Sequence, residues 1–134
     1  MRRRDELQQR DDDAEPKRMK VYDYERAYNC IMADYLAPDA LFEHYFEGVS
    51  RISRGIFERV RTIVCNDDPW FTQRINPITQ RGIHPEAKIL IALKCFAFGT
   101  SPRAFLDYFQ MGETAGRDCI KHLARAIATS DALR

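Results

Sequence analysis

The apolar residues of this chain recur at helical steps. Tyr24, Tyr28, Ile31 and Tyr35 follow one another at intervals of four, three and four, which predicts an amphipathic helix from Tyr22 to Leu36, ended by Ala37-Pro38. Pro38 or Asp39 can open a second helix, with Leu41, Phe42, Tyr45, Phe46 and Val49 as its apolar stripe up to a break at 48–50. Ser53 then caps a third. Its inner face is Ile56, Phe57, Val60, Ile63 and Val64, and it should stop near Cys65, ahead of Asn66-Asp67-Asp68-Pro69. From Asn66 to His84 the chain is rich in Asn, Asp, Pro and Gly and reads as one long connection, of a kind that is often functional or mobile. No alternating strand pattern of convincing length occurs, so the fold class expected is all-α, with five or six helices.

The stretch from Gly82 to Ile127 is the most structured of all. Pro85 suits the first turn of a helix that runs to Phe98 and closes at Gly99. A short helix follows from about Pro102 to Phe109, carrying Phe105, Leu106 and Phe109 at helical spacing. The turn Gln110-Met111-Gly112 leads into a third helix that begins near Glu113 or Thr114. A tight turn containing Gly between two helices is the form of a helix-turn-helix hairpin, so residues 85–134 are expected to be a tri-helical, helix-turn-helix-like unit behind the helices of 21–65 and the connection 66–84.

The last helix carries the clearest chemical pattern. Arg117, Lys121 and Arg125 stand at i, i+4 and i+8 and form a basic stripe, while Ala115, Cys119, Leu123 and Ile127 repeat at the same step on another face, suited to packing on the first two helices. Thr114, at the helix start, can donate to a phosphate, and the N-terminus itself presents free N–H groups to an anion. These four residues, Thr114, Arg117, Lys121 and Arg125, are the candidate nucleic-acid contacts. The plain alternative is a solvated helix face, with Glu113 and Asp118 partly neutralising the stripe. Trp70 and Phe71, in the long connection, are candidate partner-docking residues, against the alternative that they fold back to cover the helical core. Asp67-Asp68 before Pro69 reads as turn chemistry rather than a metal site.

Composition narrows the choices. Lys and Arg number 21 against 20 acidic residues in 134, so the net charge of +1 supplies no global field for nucleic acid, and any DNA contact has to be local. A hydrophobic content of 45%, with eight Phe and six Tyr, is enough for one core. The four cysteines have no zinc-type spacing and no His partners, which suits free thiols in a reducing compartment. Residues 1–20 are almost all charged or polar and read as a disordered tail. Arg2-Arg3-Arg4 within it is a weak nuclear-import signal, so the expected location is nuclear, otherwise cytoplasmic. No apolar run reaches the roughly 18 residues that span a bilayer, so no membrane partner is expected; no small-molecule ligand is expected either. His44, His84 and His122 lack the partners of a catalytic base.

Five short blocks carry a resemblance. They are Arg51 to Phe57 (RISRGIF), Asp68 to Arg74 (DPWFTQR), Gly82 to Lys88 (GIHPEAK), Ala97-Phe98-Gly99 and Gly112-Glu113-Thr114. In this order, over roughly Phe42 to Ile127, the chain resembles the N-terminal region that precedes the DDE nuclease domain in PIF/Harbinger-type transposases and their domesticated relatives (Harbinger transposase-derived nucleases). Asn76 departs from the pattern, where the family usually has an acidic residue. The resemblance places the nuclease domain, with its carboxylate triad and divalent metal such as Mg²⁺, beyond Arg134. It therefore implies a non-catalytic region without a cofactor, one that helps bind transposon DNA. It also leaves two alternatives: a protein-interaction module that docks a Myb-like DNA-binding partner, and a truncated transposase remnant without activity.

Overall fold

The structure, a computed structural model, describes residues 22–72 and 82–131. The charged tail read over 1–20 and the middle of the 66–84 connection lie outside the described residues. Among the described residues six α-helices build the fold: α1 (Tyr24–Ile31), α2 (Phe46–Ser50), α3 (Arg54–Asp67), α4 (Pro85–Phe98), α5 (Leu106–Phe109) and α6 (Glu113–Thr129). There is no strand among the described residues, and the protein is all-α, as the apolar spacing predicts.

Local chemistry sets most of the ends. Asp23 Oδ1 accepts from Arg26 N at 2.9 Å and so caps α1. The helix widens into a π turn over Met32–Leu36 and stops at Ala37, whose extended backbone is what a following proline imposes. Ser53 Oγ caps α3 by accepting from Ile56 N at 3.2 Å. That helix runs two residues past Cys65, to Asp67. Asp68 then starts a 3₁₀ turn, Pro69–Phe71, by accepting from Trp70 N at 2.9 Å.

The second predicted helix is largely absent. Where a helix with five inward residues was expected between Pro38 and Ser50, a run of turns is followed by a 3₁₀ segment, Glu43–Tyr45, and the single-turn α2. The chain folds back on the π turn, with Leu41 N donating to Ala33 O at 2.9 Å and Phe42 N to Asp34 O at 2.7 Å. Those bonds replace the helical ladder. Phe46 alone of the predicted stripe enters the core, whereas Leu41 is 73% and Tyr45 65% exposed. Nor does the break fall at Gly48, which lies inside α2. It falls at Arg51, in the left-handed region at φ 66°. Arg54 holds this segment from below, donating to Leu36 O at 2.5 Å and to Glu43 Oε1 at 2.6 Å.

Helix α4 is the axis of the molecule. Ala87, Ile89, Leu90, Ile91, Ala92, Leu93 and Cys95 are all buried, so the helix is apolar around its circumference, as a helix enclosed by others must be. α1, α2, α3 and α6 pack against it. Lys88 is also buried. Its ammonium donates to the carbonyls of Trp70 and of Thr72 (3.2 Å for the latter), fastening the 3₁₀ turn to α4. Gly99 closes α4 in the left-handed conformation at φ 65°. A Cβ there would meet open space, so Gly99→Val should act through backbone strain alone. Its expected cost is about 1–2 kcal/mol, measured by denaturant titration, and an unchanged midpoint would contradict this cap.

The C-terminal unit follows the predicted outline. After Ser101 caps a 3₁₀ turn (Pro102–Phe105), α5 adds a single turn, and the chain reverses at Gln110. Gln110, not the glycine, takes the left-handed position, at φ 49°, and its side chain holds it there by donating to Asp107 O at 2.7 Å. Gly112 is extended and begins α6. Tyr108, on α5, donates to Asp34 Oδ2 at 2.6 Å and ties the hairpin to the π turn. Burial, followed by that carboxylate, pushes the Tyr108 phenol well above its ordinary pKa. All four cysteines are free, and burial pushes the Cys119 thiol up to about 12.

Candidate nucleic-acid interface

Helix α6 separates two chemistries. Gly116, Cys119 and Leu123 are buried against the rest of the fold, whereas Thr114, Arg117, Lys121 and Arg125 are exposed. The structure thus brings the four predicted contacts onto one exposed side of one helix. Successive i+4 steps drift by about 40° on a helix of 3.6 residues per turn. Three basic residues therefore stay within about 80°, but a four-residue series sweeps too far to remain on one face. Hence Ile127, expected inward with Ala115, Cys119 and Leu123, is instead 41% exposed. The buried stripe runs through Gly116, Cys119, Leu123 and the partly buried Ala126.

The stripe is not electrostatically uniform. Glu113, at the start of α6, accepts from Arg117 Nη2 at 2.6 Å through Oε1, and its Oε2 lies 3.6 Å from Arg103 Nη2. The hydrogen bond from Arg117, with the charges of Arg103 and Arg117, holds the Glu113 carboxyl below the ordinary glutamate range. Arg103 is a residue that sequence reasoning missed. It sits in the 3₁₀ turn before α5, outside any periodic pattern, and only the folding of the hairpin places it beside α6. Lys121 is exposed at the middle of the stripe. At the far end Arg125 borders a cleft of about 370 Å³, lined also by Asp67, Asp68, His122 and Thr129.

Trp70 and Phe71 fold back onto the helical core, with Trp70 left half-buried. Phe71 is fully buried. The Trp70 ring stacks on His122 with centroids 3.9 Å apart and planes 2° from parallel, and Lys88 Nζ lies 4.5 Å from the Trp70 centroid. The physical reason is the connection's geometry: the 3₁₀ turn drops both rings onto α4 and α6, where they close the end of the core. His122 accordingly faces inward from the stripe. Its Nδ1 lies 3.0 Å from Asp68 Oδ2 and donates to it, since an ionised carboxylate can only accept. Burial works to raise the Asp68 pKa, but the bonds from His122 and Trp70 N and the charges of His122 and Arg125 outweigh it and leave the group below the usual range. Asp68 is thus engaged by protein donors, in line with the turn reading of Asp67-Asp68.

Among the described residues, no three His, Cys, Asp or Glu side chains converge as they would around a metal ion. No described helix is long and apolar enough to cross a membrane. No family model, curated protein or solved structure matches the chain.

Proposed function

We propose that this chain is a DNA-contacting helical module of the kind that precedes the nuclease domain in Harbinger-type transposases, and that it lays the basic side of α6 along the phosphate backbone. The observation that carries this reading is the placement of Arg117, Lys121 and Arg125 on the exposed side of the last helix of a tri-helical unit whose inner side is fully engaged in packing. In a helix-turn-helix, that helix is the one offered to the duplex. The five sequence blocks shared with the Harbinger region support the family assignment. The module contributes binding and positioning, and the nuclease chemistry with its Mg²⁺ belongs to the domain that this family carries elsewhere; the proposed location is nuclear.

Binding should be weak and strongly salt-dependent. If the three cations each neutralise one phosphate, log K against log salt should fall with a slope of about −2.7, from roughly 0.9 per contact. Changing all three to Ala should remove most of that slope and leave the helical content intact, because none of them packs in the core. The matched control is Arg51, Arg59 and Arg61 to Ala, which removes the same charge from the region of α3. Arg54 is kept out of it because of its bonds to Glu43 and Leu36. Equal loss in both variants would refute the assignment to α6.

One observation favours a second reading, docking of a protein partner such as a Myb-like DNA-binding protein. Leu41, Phe42 and Tyr45 form an exposed apolar cluster on the 41–45 segment, and clusters of this kind mark interaction surfaces. This is a different place from Trp70 and Phe71, and the two readings are compatible.

A further inference from the structure

Two guanidiniums from different elements converge on one carboxylate at the start of α6. Arg103 comes from the 3₁₀ turn at the beginning of the hairpin, Arg117 from the second turn of α6, and each faces a different oxygen of Glu113. Arginine forks hold carboxylates and phosphates by the same geometry, donors directed at separate oxygens of one anion. Both arginines are largely in water, at 77% and 62% side-chain exposure. An exposed ion pair is weak, because solvent screens its charges. A phosphate of the polymer, brought in by neighbouring contacts along Lys121 and Arg125, can therefore take the carboxylate's place at little cost.

We propose that Arg103 and Arg117 form a single phosphate-holding fork that Glu113 occupies in the free protein and that a DNA backbone phosphate takes over on binding. This rests on the DNA-contacting reading of α6 and extends it in two ways. Arg103 becomes a second donor to the phosphate that Arg117 contacts, supplied by the other arm of the hairpin. Glu113 becomes a self-restraint that weakens binding to any polyanion.

The test compares duplex-DNA affinity over a range of chloride concentrations for single and combined variants. Arg103→Ala should weaken binding roughly three- to tenfold, because the fork loses one of its two donors, while the salt slope falls by less than about 0.9, because Arg117 still neutralises the same phosphate. Glu113→Gln should tighten binding roughly three- to tenfold, because it removes the competing charge but leaves both arginines. Glu58→Gln makes the same charge change where Glu58 pairs with Arg61 on α3 and should change affinity less than twofold. Adding Glu113→Gln to a chain that already carries Arg103→Ala and Arg117→Ala should no longer tighten binding. If Arg103→Ala binds as tightly as the unaltered chain, or Glu113→Gln binds no tighter than Glu58→Gln, the fork is overturned. The DNA reading would still stand, provided that the Arg117, Lys121 and Arg125 triple variant loses its slope. If that triple variant keeps its slope, or the chain does not bind DNA, both ideas fail together. Replacing chloride by inorganic phosphate at equal ionic strength should compete no better than chloride. Saturable competition at millimolar phosphate would make this a free-anion site and overturn the assignment to DNA.

Discussion

Phe71→Ala is expected to lower the stability of the folded chain by about 3–5 kcal/mol, the range for emptying a buried aromatic site. The side chain is 0% exposed, and it meets Trp70 edge-on at 5.1 Å and His122 edge-on at 6.2 Å. Its neighbours are themselves held: Trp70 by its stack on His122 and by Lys88, and His122 by Asp68. A site pinned in this way cannot easily collapse around the missing ring, so the cost should fall toward the upper end. For a chain of this size about 4 °C of melting temperature is lost per kcal/mol, which puts the expected drop at roughly 12–20 °C. Thermal unfolding followed by circular dichroism measures it. A variant that melts with the wild type would return Phe71 to the surface and revive a docking role.

Gly116→Val should cost about 2–3 kcal/mol, for a different reason. Gly116 is where α6 crosses the start of the hairpin: a Cβ built on it would lie 2.9 Å from Pro102 Cβ and 3.2 Å from Leu106 Cδ2. Pro102 is buried and its ring is rigid, so the strain has to be relieved by moving the two arms of the hairpin apart. Helix propensity opposes this, since replacing a helical glycine gains up to about 1 kcal/mol, but the steric cost is larger. Gly55 provides the control, because a Cβ on this α3 residue would meet nothing within 4 Å. Gly55→Ala should therefore stabilise by about 0.5–1 kcal/mol. If both glycines tolerated substitution equally in denaturant titrations, α6 would not sit as close to the Pro102 turn as the structure has it. The same variant bears on function, because Arg103 and Arg117 meet Glu113 only while the two arms keep this spacing.

Much of the fold was legible because its signals are local. Ser53 caps α3 through a hydrogen bond that spans three residues, and Gly99 closes α4 through a backbone conformation that a residue with a Cβ enters only under strain. Pro38 ends the π turn that follows α1 by its effect on Ala37. The exposed basic stripe was legible too, since Arg117, Lys121 and Arg125 sit on one helix and their relative directions follow from its pitch. The failures share the opposite property. Leu41, Phe42 and Tyr45 have the spacing of an inward stripe, yet backbone bonds to Ala33 and Asp34 fold the segment back and leave them outside. Ile127 is a separate case: the drift of about 40° per i+4 step carries it off the buried face.

What the amino-acid order determined by itself is therefore the all-α class, the helix ends that caps and prolines set, and the separation of charge from apolar surface around α6. These depend on groups within a turn or two of each other, where covalent geometry leaves few choices. Only the tertiary structure decided that Phe71 is a core residue, that His122 turns from the stripe to Trp70 and Asp68, and that Arg103 shares Glu113 with Arg117. Burial and ion pairing of this kind depend on which surface another element brings close. Asp68 and His122 are 54 positions apart in the chain, yet they lie 3.0 Å apart once α3 and α6 are packed. No periodicity within either helix encodes that distance, which arises from the way both helices fit around α4.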